Sequence, residues 1–376
     1  MAEYPVFVSN DPVLIKQECI EFYQNDTGRV LNEGDPEMRI VNMIVSREVD
    51  LRSSINSAAL MMLLPYSVAP ILDYIVSLVG VTRLPASYAQ TTILLTFPPV
   101  HGPIIMPADM RVQTSDGSQV FQLNEDLNVA ANVETISATF TAVTAGSAGN
   151  GYVADTVNVI LDPQPFLLSA SNTTATNSGS DQETDEQLRD RAMLAPNAFS
   201  VAGPVDAYIY FAKSASPLII DVAVPNPPAV PGTVVVYPLV AGGDPTPIEI
   251  LNQVELILSS EKVRPLCDTV VVESPTKLGY DLVVKITKMF GAVNDDILAV
   301  VEPALTEYTQ TISMKLGRDV LVTRLKKIVC YDDTQVYDCE IFEADGTTPF
   351  TDIVVDSTEF AYADSIAVSI VDSNAG

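Results

Sequence analysis

Ser178-Gly179-Ser180-Asp181-Gln182-Glu183-Thr184-Asp185-Glu186-Gln187-Leu188-Arg189-Asp190-Arg191 lies at the midpoint of the chain and separates two kinds of sequence. Upstream, from about Thr91 to Ser169, the alternation of apolar and polar residues predicts β-strands; downstream, helical and strand patterns alternate. The stretch itself reads as a helix start. The Thr184 hydroxyl is placed to accept a hydrogen bond from a free backbone N–H of the first turn. Asp185 and Glu186 put negative charge at the positive end of the helix dipole, and Arg189 and Arg191 lie further along. Glu186 to Arg189 and Gln187 to Arg191 have spacings that allow contacts on the helix face, each worth about 0.2–0.5 kcal/mol. The acidic cluster reads first as a solvated cap. The competing reading is a metal site built from Asp181, Glu183 and Asp185. Calcium takes about six or more oxygens around a turn glycine, and here Gly179 precedes the carboxylates instead of lying among them.

Composition narrows the function. A chain of 376 residues suggests roughly two to four domains. Its 47% hydrophobic content is enough to bury cores. The net charge of −28, from 20 basic and 48 acidic groups, opposes binding to nucleic acid or to anionic membrane surfaces. The same charge suits partners that carry basic patches. Met1 to Asp11 is short, acidic and broken by Pro5, unlike a signal peptide. The best apolar run, Ala58 to Val79, is interrupted by Pro65, Pro70 and Asp73, so no membrane insertion is expected. Cys19, Cys267, Cys330 and Cys339 form no CxxC pair and read as buried free thiols in a reducing compartment, with neither a zinc site nor a disulfide framework.

The patterns predict an α+β multidomain chain with a helical region at 1–88, a β domain at 89–170, an α/β domain at 171–292 and a helical/β region at 293–376. Asp11-Pro12 starts a helix that carries Ile15, Cys19, Phe22 and Tyr23 and ends at Asn25-Asp26-Thr27-Gly28. Asp35-Pro36 starts a longer one, from about Glu37 to Leu64, with Ile40, Ile44, Val45, Val49, Arg52, Ile55 and Ala59 along one face. A helix of about 40 Å near a terminus has little local chain to bury it. Ile40, Ile44, Val45, Arg52 and Ile55 are therefore candidate interface residues, toward a hairpin partner or another subunit. A third helix is expected over Ser67 to Val79.

Short strands follow, among them Thr92 to Phe97, a hairpin with its turn at Asp116-Gly117, and Val153 to Leu161, and they suggest a small sandwich or barrel. The Gly146-Ser147-Ala148-Gly149-Asn150-Gly151 loop leads into Tyr152-Val153-Ala154 and lacks the Lys-Ser/Thr of a phosphate loop, so it reads as a turn needing positive φ. Further on, Gly203-Pro204 and Thr246-Pro247 open helices. Leu218–Val224, Gly232–Leu239, Asp268–Glu273 and Tyr280–Lys288 read as strands of a split β-α-β unit. A last long helix, about Asp295 to Leu316, is expected to break near Pro303, followed by a short helix over Asp319–Val329 and a β-like tail from Gln335 to Val371.

Nothing in the residues predicts an enzyme. His101 is the only histidine, and no Gly-x-Ser-x-Gly elbow supplies a nucleophile. No cofactor or metal is expected. Against the acidic background, Arg318, Arg324, Lys326 and Lys327 form a basic cluster, read either as solvated helix surface or as a docking patch for an acidic partner or another copy. Of these, Arg318, Arg324 and Lys327 join the candidate interface residues.

Several motifs occur in a telling order. Ile71-Leu72-Asp73-Tyr74 and Gly80-Val81-Thr82-Arg83-Leu84-Pro85-Ala86 lead into the β domain; Met106-Pro107-Ala108, the Asp116-Gly117 hairpin and Ala145 to Asn150 follow. Next come Gly179 to Arg191, Gly232 to Val236, Val263-Arg264-Pro265-Leu266 and Leu316-Gly317-Arg318-Asp319-Val320. In these the chain resembles the baseplate J-like wedge proteins of contractile phage tails and related injection particles, over roughly Ala69 to Val329. Ser178 and Ala108 stand where family members often carry glycine.

The resemblance implies structural work in a virion tail baseplate, in wedges that join into a sixfold ring around a central hub and open when the sheath contracts. Residues Asp11 to Val79 would bundle with other wedge subunits. The α/β and C-terminal parts would touch other copies of the chain. Hub and sheath-proximal proteins complete the implied partners, with synthesis in a bacterial cytoplasm. A secreted adhesin or carbohydrate-binding protein is the alternative from the β domain and the Ser/Thr-rich run Ser169 to Ser180.

Overall fold

The computed structural model describes residues 5–199, 204–228, 230–260, 263, 269–332 and 334–372. Gly203, Arg264-Pro265-Leu266, Cys267 and Asp268, named above, lie outside the described residues. The chain forms two compact units: Met1–Thr82 with Leu188–Ala192, and Arg83–Gln187 with Met193–Gly376.

In the first unit the two Asp-Pro signals act as expected. Asp11 accepts a hydrogen bond from the Val13 amide at 2.8 Å and caps α1 (Pro12–Thr27), which ends on Gly28 at φ 67°. Proline again occupies the first turn of α2 (Pro36–Met61), 26 residues long. Pro65 disfavours helical backbone at Leu64, which accounts for an end earlier than expected. Pro70 sits at the N-cap of α3 (Ile71–Ser77), so this helix starts later than expected. α1 and α2 form a hairpin around Ile15, Leu31, Met38, Val41 and Val45. Met38, Val41, Val45 and Val49 recur at helical spacing and define the inward row. Of the two expected partners, Val45, 7% exposed, packs on the hairpin's own core, whereas Ile40 at 56%, Ile44 and Ile55 are exposed.

The second unit begins with the β domain: β1 (Tyr88–Thr96), β2 (Ile104–Met106), β3 (Arg111–Thr114), β4 (Val120–Leu123), β5 (Leu127–Val129), β6 (Thr135–Ala145), β7 (Val157–Ile160) and β8 (Ser169–Asn172). Six of them form one antiparallel sheet in the order β7-β3-β4-β6-β1-β8, and β2 pairs with β5. Every second residue of β1 is buried, including Ile93 and Leu95, which meet Phe97, Phe121 and Phe140 in the core. The sheet curls into a barrel, and Asn172 bridges its two outer strands. The Asn172 carbonyl accepts from the Asp155 amide at 2.9 Å, and its side chain accepts from the Val157 amide at 2.8 Å. Near-closure protects strand edges that would otherwise pair with other chains.

Then follow α4 (Asp185–Leu194), α5 (Val205–Lys213), β9 (Ile219–Ala223), β10 (Thr233–Val240), α6 (Ile248–Leu258) and β11 (Thr269–Val272). β10 runs parallel to β11 and antiparallel to β9. Tyr208 and Ala212 of α5 and Ile250, Val254 and Leu258 of α6 share a core with Val222, Val236 and Val270 of the sheet.

The last elements are β12 (Thr276–Lys288), α7 (Asn294–Ser313), α8 (Val322–Val329), β13 (Val336–Phe342) and β14 (Glu359–Asp372). β12 is the central strand of their sheet, parallel to β14 from Thr276↔Glu359 to Lys288↔Asp372 and antiparallel to β13. This corrects the placing of Tyr280–Lys288 in the α/β unit. The inward residues Leu282, Val284 and Ile286 share a core with Ile297, Val301 and Leu305 of α7 and Leu325 and Val329 of α8, so burial assigns the strand to the C-terminal sheet. A second correction concerns Pro303. It lies inside a continuous α7 on the exposed face, as does Ala299, so the carbonyl it leaves without an intrahelical donor can bond water.

Truncating Phe140, fully buried in the barrel, to alanine should destabilise the protein by about 3–5 kcal/mol in equilibrium urea unfolding. The same measurement on Leu282→Ala should show a loss of about 2–5 kcal/mol.

Candidate functional site

The central stretch is a helix cap with Asp181, Thr184 and Glu186 exposed, as expected, and with Glu183 buried. It is tied, residue by residue, to the chain that leads into the barrel. Ser178 adopts φ 70°, the left-handed conformation that glycine takes at no cost. The Gly179 amide donates to Asn150 Oδ1 at 2.8 Å, and its carbonyl accepts from Asn150 Nδ2 at 2.7 Å. A Cβ at residue 179 would stand 2.5 Å from the Gly146 carbonyl oxygen, so the close approach requires glycine. The Ser180 carbonyl accepts from the Ser87 amide at 2.9 Å, and the two hydroxyls meet at 2.8 Å. Asp181 accepts from the Ser147 hydroxyl at 2.6 Å and the Ser147 amide at 3.1 Å, bonds that hold its carboxyl below the usual range.

Glu183 is only 4% exposed, and its carboxylate accepts from the Leu84 amide at 2.9 Å while its amide donates to the Leu84 carbonyl at 3.1 Å. Arg83 reaches the Glu183 carbonyl and the Asp185 carboxylate, both at 2.7 Å. Thr184 caps α4 as expected, in a reciprocal box: its hydroxyl accepts from the Gln187 amide at 3.3 Å, and Gln187 Oε1 accepts from the Thr184 amide at 3.1 Å.

The expected pairings along the helix face give way to bonds with backbone. Gln187 donates to the Pro217 carbonyl at 2.9 Å. Within the first unit, Arg189 donates to the Ser67 carbonyl at 3.3 Å and buried Arg191 to the Thr82 carbonyl at 2.6 Å. Asp181, Glu183 and Asp185 each face a different donor. Among the described residues, no group of three or more His, Cys, Asp or Glu is placed to hold a metal.

The glycine loop is a turn, with Gly146 at φ 128° and Gly151 at φ 83° around a 3-10 turn at Ser147–Gly149. His101 is buried beside Phe97, with its ring nitrogens turned to the Gly102 carbonyl at 2.6 Å and the Val133 carbonyl at 2.9 Å. Both ring nitrogens face backbone oxygens, and a neutral imidazole can donate to only one of them.

The candidate interface residues fall into different groups. On the hairpin, Ile40 and Ile44 line an apolar groove of about 530 Å³ together with Phe22, Tyr23 and Cys19 of α1. Met43, Leu51 and Ile55 extend the exposed apolar surface along α2. Arg52 braces the hairpin, donating to Glu48 at 2.9 Å, to Glu18 at 3.1 Å and to the Ser9 carbonyl at 3.1 Å. On α8, Arg324, Lys326 and Lys327 are exposed opposite buried Leu325 and Val329, and Arg318 is half-buried nearby in the sequence. Sequence reasoning missed the meeting of Cys330 and Cys339, whose sulfurs lie 2.7 Å apart.

Residues 92–179 match the family model for the baseplate J-like protein barrel domain, and residues 200–274 match that for the baseplate J-like central domain. Over these two segments the chain is similar to the barrel and central domains of the baseplate J-like family. The first match starts inside β1 and ends at the tight Gly179 contact; the second spans α5 to β11. The chain is similar to baseplate protein J of Escherichia phage P2, 28% identical over 180 residues that cover 48% of this chain and 57% of that protein. It thus spans a little over half the length of that curated relative. A cryo-electron microscopy structure of the anti-feeding prophage baseplate, sixfold symmetrised, contains a chain that aligns over 94% of this one and 90% of its own length. That alignment has 12% identity and a TM-score of 0.40.

Two substitutions test the ties between the barrel and the central stretch. Gly179→Ala should lower the thermal midpoint, because its methyl meets the Gly146 carbonyl oxygen. Asp181→Asn should lower it at neutral pH. A depressed carboxylate stabilises the fold above its unfolded pKa, and that stability is lost as pH falls through the folded value. The difference from the parent protein should therefore shrink as pH drops below about 4.

Proposed function

We propose that the protein is a structural subunit of the tail baseplate of a contractile phage or related injection particle. In this reading it is a wedge protein that joins its neighbours into a sixfold ring around a central hub, and the ring rearranges when the sheath contracts. The baseplate J-like barrel and central domains, in that order, support the family role, as does the similarity to a phage baseplate protein. Its place is the virion tail baseplate. Among the described residues, no helix is long and apolar enough to cross a membrane.

The observation that carries the assembly role is the outward apolar row of α2. Ile40, Met43, Ile44, Leu51 and Ile55 are all exposed, although the hairpin already has an inward row. An apolar patch of this extent costs solubility unless something covers it. Helices of other wedge subunits are its proposed cover, packing at about 8–10 Å between axes. The exposed Arg324 and Lys327 are assigned to contacts with other copies, since a chain of net charge −28 offers acidic surface to a basic patch. Hub and sheath-proximal proteins are the remaining partners. The role is mechanical, without catalysis. A ring that opens needs contacts whose alternative packings differ by only a few kcal/mol, which favours several small surfaces over one large one.

Replacing Ile40, Ile44 and Ile55 together by Glu should abolish co-purification with tagged wedge partners while leaving far-ultraviolet circular dichroism unchanged; retained co-purification would remove the hairpin from the interface. Arg324→Glu with Lys327→Glu should weaken self-association in sedimentation velocity, and raised salt should weaken the parent protein in the same direction. Unchanged sedimentation of the double variant would discard the basic patch.

A further inference from the structure

Cys330 ends α8, where its amide donates to the Lys326 carbonyl at 2.8 Å. Cys339 lies within β13, opposite Ile286 of β12, and is 2% exposed. The helix end and the strand bring the two sulfurs to 2.7 Å. Both residues share one core with Val329, Val336 and Ile341, so their approach is set by packing on both sides. Burial pushes the Cys339 thiol up to about 12, and its hydrogen bond to Cys330 adds to the shift. Cys339 is therefore a poor first nucleophile, while half-buried Cys330 is the sulfur a soluble reagent meets first.

We propose that Cys330 and Cys339 form an oxidation site that closes to an intramolecular disulfide when the protein meets a low-molecular-weight disulfide such as oxidised glutathione. The Cys330 thiolate attacks one sulfur of the oxidant, breaks its S–S bond and releases one glutathione thiolate. Cys339 then gives up its proton and attacks the Cys330 sulfur of the mixed disulfide. The Cys330–Cys339 bond forms and the second glutathione leaves. Two protein sulfurs are oxidised, two oxidant sulfurs are reduced, and the two protons of the protein thiols end on the two glutathiones. The new bond ties the end of α8, and with it the Arg324 and Lys327 surface, to the middle of β13. It closes a short loop and constrains the unfolded chain. Synthesis as a dithiol in a reducing compartment and closure after release is the sequence of events this chemistry fits.

The test uses the full chain, purified reduced and then incubated with oxidised glutathione. The intact mass should fall by two hydrogen atoms, with Cys19 and Cys267 still open to alkylation in denaturant. Trypsin leaves both cysteines on one peptide, because no Lys or Arg lies between them or after Cys339. Cleavage before Asp332 and Asp338 should instead yield fragments linked only until reduction. The oxidised protein should melt higher than the reduced one, and Cys330→Ser should erase that difference. Cys339→Ala, which keeps the buried site apolar, should retain one glutathione on Cys330. An unchanged mass, a bond through Cys19 or Cys267, or an unmodified Cys330 in Cys339→Ala would each overturn the proposal.

Discussion

The buried Glu183 carboxylate, held by the Leu84 amide, is the interaction on which the second unit's arrangement turns. A carboxylate removed from water is costly unless donors replace the lost solvent. Here the chain supplies a backbone amide, while neighbouring Arg83 bonds the Glu183 carbonyl and the Asp185 carboxylate. A charged group so placed tolerates few alternatives. If Glu183 slipped by one residue, Ser180 would lose Ser87 and Asp181 would lose Ser147. The stretch thus fixes the register between the lead-in to β1 and the start of α4, and the barrel match ends where it begins.

Local signals carried most of the elements. Asp-Pro starts, glycine ends and the Thr184 cap depend on the backbone needs of a single turn, so a reader of the sequence sees them directly. The alternation in β1 was equally visible because one face is buried and the other is not. The motif order from Gly80 to Val320 pointed to the family that two domain matches later supported. What failed was partner choice. Tyr280–Lys288 is plainly a strand, but nothing local says whether it pairs with β10 or with β14, which lies far along the chain. Pro303 looked like a break because helix propensity ignores which side of the helix faces water.

The candidate interface was legible as a helix and blurred as a face. Val45 and Ile44 are adjacent in sequence and equally apolar, yet one is buried in the hairpin core and the other lies exposed along the groove beside α1. A wide apolar stripe gives no reason to prefer one row for the inner contact. The thiol pair left no sequence signal at all. Its spacing fits no common motif, and only the packing of a helix end over a strand brings the sulfurs together.

The sparse interior of the α1–α2 hairpin has a consequence for its own rigidity. Ile15, Leu31, Met38, Val41 and Val45 make a small core for helices of this length. Small cores confer little stability on their own. A hairpin of this kind would gain rigidity from anything that covered its outer row, so burial of that row and stiffening of the two helices would be one coupled step.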